Sequence, residues 1–253
     1  MAIKLRSLLR ARPLALFLRT LVFVGFLGLA KLSGFSLVPS LFFLLAALVL
    51  YSSPLRNNLA YLTSFLVLIV IAPVAMKTFS GDTWFFAVAL ISGFLFYVIS
   101  GLKNLFFVYR SRWHFLLMLG LFYLGTLVFF AAAGANFFFS RLALVFLTAF
   151  FLVREFLRIT PIDKSPNIKN LIVPTALIAS ASSLLIAETF WVVGLLPMGV
   201  LNSASMSILM IFILLDILRR YLEATLSRRA ILTNVTIFVL LTLLILITSK
   251  WGI

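Results

Sequence analysis

WFFAVALISGFLFYVISGLK, residues 84–103, followed by NLFFVYRSR, residues 104–112, is the stretch that decides the fold. From Trp84 to Leu102 the chain carries no charge, and the run stops at Lys103, with Arg110 and Arg112 a few residues on. At 1.5 Å per helical residue the uncharged run reaches roughly 28 Å, close to the ~30 Å hydrocarbon core of a bilayer. An apolar run of that length bounded by basic residues predicts a transmembrane helix.

The same pattern repeats on both sides of it. Apolar segments near 14–31, 35–51, 59–76, 113–133, 137–157, 170–190, 198–218 and 230–249 join 84–102 to give nine. A chain that is 64% hydrophobic and 11% charged departs far from soluble globular domains, where the apolar share is nearer half and the charged share nearer a quarter. The expected class is all-α: a polytopic transmembrane bundle of about nine helices.

Counting basic residues as the segments alternate sides leaves only Lys31, Lys77, Arg141 and Lys250 on one side, and the other 17 of 21 on the opposite side. Short loops rich in Lys and Arg stay cytoplasmic, which predicts a cytoplasmic N-terminus and, with an odd number of crossings, an external C-terminus. The net charge of +15 sits in short loops rather than on a basic, aromatic-lined groove. The expected partners are therefore membrane lipids, including anionic headgroups on the cytoplasmic side, and other membrane proteins, with no nucleic acid. Compactness and short external loops suggest a bacterial cytoplasmic membrane.

Met1 to Arg12 followed by Leu14 to Ala30 has the layout of a signal peptide, but no small-residue cleavage site follows and Lys31 leads straight into another apolar run. An uncleaved first helix is expected. Residues 14–51 leave little room for two helices and a turn, so they read either as two full spans or as a re-entrant hairpin; the orientation of both termini is the same either way. Residues 1–253 read as one integral-membrane domain, with a possible subdivision into six helices over 1–159, a linker over 160–169 and three helices over 170–253. The linker is suggested by Pro161, Ser165, Pro166 and Asn167. No inverted repeat is visible between the halves.

Two cytoplasmic connections look amphipathic. Over 218–229, Leu218, Tyr221, Leu222, Thr225 and Leu226 recur at helical spacing, with Arg219, Arg220, Glu223, Arg228 and Arg229 mostly opposite. This predicts a short interfacial helix on the headgroups before the last span. Lys103 to Trp113 is a weaker version.

Chemistry has few residues to work with. The absence of cysteine excludes disulfides, thiolate metal sites and cysteine nucleophiles, and one histidine with six carboxylates is a thin supply for a metal centre. No metal site and no cofactor are expected. Asp216, Glu223, Glu155 and Asp163 each lie beside arginines or lysines at pairing distance in sequence, as ion-pair partners do. His114, next to Trp113, reads as interfacial.

The candidate substrate- or ion-binding residues are Glu188, Arg141, Asp82 and Asn202. Asp82 suits the start of the fourth helix. Arg141 and Glu188 fall at comparable depth near external helix ends, and no basic residue occurs between Asn170 and Leu218, so Arg141 is the expected partner of Glu188. Small residues from Ala176 to Ala187 and from Asn202 to Ser207 suggest close packing of the seventh and eighth helices or a polar pocket between them. Gly194, Pro197 and Gly199 predict an irregular entry to the eighth. Phenylalanine pairs such as Phe42-Phe43 and Phe129-Phe130 read as lipid-facing bulk.

No phosphate loop, nucleophile elbow, zinc-binding histidine pair or magnesium-holding aspartate pair occurs. The leading expectation is a non-enzymatic accessory or scaffold component of the membrane. The competitors are a transporter or lipid-handling protein with a cavity near Glu188, and an external-face enzyme acting on a lipid-linked substrate through Glu188 and Arg141. A cavity at Glu188 favours the competitors; a packed Glu188–Arg141 contact favours the scaffold.

Overall fold

The computed structural model describes residues 2–52, 61–79, 81–104, 107, 109–132, 138–159, 175–223 and 225–249, with side chains from residue 14 onward except those of 82 and 83. These residues form nine α-helices and no strand: α1 (Ala2–Leu32), α2 (Leu37–Ser52), α3 (Leu62–Thr78), α4 (Asp82–Lys103), α5 (Arg110–Ala131), α6 (Phe138–Ile159), α7 (Thr175–Gly194), α8 (Val200–Leu222) and α9 (Arg228–Thr248). The all-α class follows from the apolar segments, each of which has become a helix.

Six of the helices, α1, α4, α5, α7, α8 and α9, contain stretches long and apolar enough to cross a membrane. With 16 and 17 residues, α2 and α3 are shorter, reaching about 24 to 26 Å at 1.5 Å per residue. The remaining helix, α6, has 22 residues but carries Arg141, Arg154, Glu155 and Arg158 near its two ends. At the other extreme α1 runs back to Ala2, so the basic segment before Leu14 is helical and continuous with the apolar one.

The chain divides into two compact units, Met1–Leu121 and Phe122–Ile253, with the division inside α5. The subdivision considered from sequence placed a linker at 160–169, which lies outside the described residues.

In the first unit α1 turns into α2 through Gly34 and Phe35, both in the left-handed region with φ of 65° and 55°. The turn is closed by the Phe35 amide donating to the Ala30 carbonyl at 2.8 Å, as at glycine-terminated helix ends. The core is a column of rings. Phe23 of α1 stacks on Phe96 of α4 at 4.3 Å and meets Phe43 of α2 at 5.4 Å, while Phe65 of α3 lies 6.4 Å from Phe96 and stacks on Tyr51 of α2 at 4.1 Å. Lys103, at the end of α4, caps this column: its ammonium lies 3.9 Å from the Tyr51 ring centroid and donates to the Tyr51 carbonyl near the end of α2. A cation fits there because helix C-termini carry negative partial charge and ring faces attract cations.

The rings correct the expectation that paired phenylalanines are lipid-facing bulk. Phe43 is buried where Phe42 is exposed, and Phe129 is buried at 7% exposure. Neighbouring residues on a helix point about 100° apart, which puts Phe43 inside and Phe42 outside, while Phe129 and Phe130 both reach the ring of Phe190. His114 is also buried, with its ring edge-on to Tyr61 at 5.5 Å. After α4, Phe107 lies against Gly101, where a Cβ would meet its ring at 2.3 Å, and stacks on Trp113 at 4.4 Å.

In the second unit the most extensive helix pairing is α6 on α7, followed by α7 on α8 and α8 on α9. The interfacial helix expected over 218–229 is not a separate element. Residues 218–222 are the last turn of α8, and 228–229 open α9. Two ion pairs at i,i+4 carry α8 through this region: Arg220 with Asp216 at 2.6 Å and Arg219 with Glu223 at 3.6 Å. Ser227 then caps α9 by accepting from the Ala230 amide at 3.2 Å.

Candidate functional site

Part of the small-residue stretches of α7 and α8 faces inward, as close packing requires, while Ala176 and Ala181 are exposed. Ala179, Ser182, Ser183 and Ala187 of α7 are buried, as are Ser203, Ala204 and Ser207 of α8. The irregular entry to α8 is confined to 195–199, where the Leu195 and Leu196 amides still bond back to Val192 and Val193 at 3.1 Å.

On the other face of α7 the helices part. Leu185, Glu188, Thr189 and Val192 share a stripe at i, i+3, i+4 and i+7. Together with Met206, Met210, Ile213, Leu214 and Ile217 of α8 and Phe238 of α9 they line an open groove of about 410 Å³. That volume lies within the roughly 300–1,000 Å³ range of ligand sites. Glu188 and Thr189 are the polar side chains in its lining, and the Thr189 hydroxyl donates back to the Leu185 carbonyl at 2.8 Å. Glu188 is exposed and makes no ion pair among the described residues.

The expected partner of Glu188 is engaged elsewhere. Arg141 of α6 donates to the Ala132 carbonyl just past the end of α5, and its guanidinium lies 5.8 Å from the Phe129 ring centroid. Phe129 belongs to a ring cluster with Phe130, Phe138 and Phe190 of α7, the Phe129–Phe190 centroids being 4.9 Å apart. Glu188 precedes Phe190 by two residues, about 200° around the helix, so the two point to opposite sides of α7. The backbone carbonyl and ring face satisfy Arg141 on one side while Glu188 looks into the groove on the other.

Of the remaining candidates, Asn202 is half-buried in the first turn of α8 and does not line the groove. Asp82 opens α4, with its side chain outside the described ones. Among the described residues no three His, Asp or Glu side chains come together as a metal site would need.

A second polar feature borders the groove. Asp216 of α8 is buried, and its Oδ2 accepts from Arg220 Nε at 2.6 Å and from Asn234 Nδ2 of α9 at 2.9 Å. The arginine was legible from its spacing; the asparagine was not, although a lone amide in an apolar helix is the signal that marks such a contact. Asn234 and Phe238 lie one turn apart, so one face of α9 supplies both the bond to Asp216 and a wall of the groove.

No protein-family model, curated protein or solved structure matches the chain. What fold and composition define is a multi-pass, all-helical protein of the membrane class, and a more particular reading rests on the groove alone.

Proposed function

We propose that the protein is a lipid-handling or transport component of a cytoplasmic membrane, and that the groove between α7, α8 and α9 is where it holds an amphiphilic molecule. One observation carries this reading: an apolar groove, open at the side of the helices, contains a carboxylate without an ion-pair partner among the described residues. A component that served only as scaffold has no need of a charge on a lipid-facing surface, where ionisable groups are costly and mark working sites. The enzyme reading calls for Arg141 beside Glu188, and Arg141 is instead engaged by the Ala132 carbonyl and the Phe129 ring on the opposite side of α7, which sets that reading behind this one.

The absence of cysteine makes the groove addressable one position at a time. A photoreactive single-chain lipid should label Met206, Met210 and Phe238 in proteoliposomes more strongly than Leu90, an exposed residue of α4. Excess unlabelled lipid should suppress the groove signal first. Equal labelling of groove and Leu90 would describe ordinary boundary lipid and return the protein to the scaffold reading.

The orientation that accompanies this proposal follows the distribution of basic residues. A reporter active only outside the cytoplasm should work when fused at Ile253 and stay silent within 160–169. Activity at both places would break it.

A further inference from the structure

We infer that the groove selects amphiphiles with a positively charged head, and that Glu188 is the residue that reads the charge. This rests on the groove being a ligand site, as proposed above. Glu188 lies six residues before the end of α7 at Gly194, about 9 Å along the axis. An ionised carboxylate at that depth, on a surface facing hydrocarbon, is disfavoured unless a cation accompanies it.

The chain does not supply that cation among its described residues. Arg141 is held on the opposite side of α7 by the Ala132 carbonyl and the Phe129 ring, and Arg220 is bound to Asp216. No Lys or Arg occurs from Asn170 to Leu218. The missing charge therefore arrives with the ligand.

The rest of the groove describes the remainder of that ligand. Its α8 wall runs from Met206 to Ile217, about 16 Å at 1.5 Å per residue, and suits an aliphatic chain lying along the helix. Met206 and Met210 give that wall unbranched, adaptable side chains. A sugar or nucleotide needs several convergent hydrogen-bonding groups, and Glu188 and Thr189 are too few. An anionic amphiphile would bring a second negative charge to Glu188, and a neutral one would leave it unpaired. A long-chain ammonium compound satisfies wall and carboxylate together.

Three probes with the same twelve-carbon chain test this on the full-length protein in neutral detergent: an alkylammonium, an alcohol and a carboxylate. Each competes with the photoreactive lipid for labelling at Met210. The alkylammonium should compete at least tenfold better than the alcohol, and the carboxylate worse than either. Glu188→Gln should abolish the difference between ammonium and alcohol, and a cooperative melting transition would show that the variant folds. Glu188→Lys should reverse the order and favour the carboxylate.

Equal competition by all three heads, or a preference that survives in Glu188→Gln, overturns the inference while leaving the groove reading intact. Failure of every probe, the alcohol included, would mean that the groove holds no amphiphile. Modification of Glu188 by a hydrophobic carbodiimide that the alkylammonium does not slow would mark a proton-binding carboxyl and would also overturn the proposal.

Discussion

α4 and α9 are nearly the same length, 22 and 21 residues, and both are apolar enough to cross a membrane, yet in the 18-residue apolar stretch of each 61% is buried within the protein for the first and only 6% for the second. In α4, Phe96, Ile99 and Leu102 are fully enclosed, and Phe96 stacks on Phe23. In α9 the buried residue is the polar one, Asn234, held by Asp216. In water an apolar face is driven inward; in lipid it gains little by that. What places a helix there is shape, as with the ring column around α4, or a hydrogen bond that lipid cannot offer, as with α9.

The largest expected break in this comparison is in the ring column. Phe96→Ala removes a fully enclosed ring from between Phe23 and Phe65 and should cost about 3–5 kcal/mol, read as a lowered unfolding midpoint in mixed micelles. A loss under 1 kcal/mol, on the order of an exposed-site change, would mean that rings do not hold α4 in place.

A smaller effect is expected at the hydrogen bond. Asn234→Ala should cost about 1 kcal/mol, the usual scale of a polar contact between membrane helices. Its more telling consequence is local: a cysteine placed at Phe238 should become more reactive toward a membrane-permeant thiol reagent as α9 loosens from α8. Unchanged reactivity would show that α9 is held by something other than the Asp216–Asn234 bond.

Smallest of all, Leu240→Ala on the exposed face of α9 should change stability by less than about 0.5 kcal/mol. A drop comparable to that of Phe96→Ala would mean that this face is covered by protein instead of lipid, and the contrast between the two helices would collapse.

These differences also mark what the sequence could and could not reveal. Length and apolarity located the nine helices that the described residues form, α6 included despite the charges near its ends, because a bilayer requires those two properties of any span. Fixed i,i+4 spacing located the Asp216–Arg220 and Arg219–Glu223 pairs. The same spacing hid the boundary of α8, since residues that resemble a separate surface helix equally well extend the helix before them. Hydropathy could not say which of Phe42 and Phe43 is inside, because both suit lipid and core alike. The proximity of Arg141 and Glu188 was inferred from depth alone, whereas rotation about α7 decides the matter, and rotation is fixed by the Phe190 cluster. The groove walls Met206, Met210 and Phe238 carried no signal, being apolar residues in apolar helices.

The contrast between α6 and α9 has a consequence for biogenesis. The candidate span with the highest mean hydropathy, α9, is the one best able to leave the translocon for lipid by its own partitioning. The charged residues of α6, Arg141, Arg154, Glu155 and Arg158, would each oppose that step by up to about 2.5–3.5 kcal/mol at the bilayer centre and by less toward the ends where they lie. Its most extensive neighbour is α7, which follows it in the chain and brings no basic residue of its own. Since α6 is not among the six helices apolar enough to cross on their own, insertion of α6 together with α7 is the expected route.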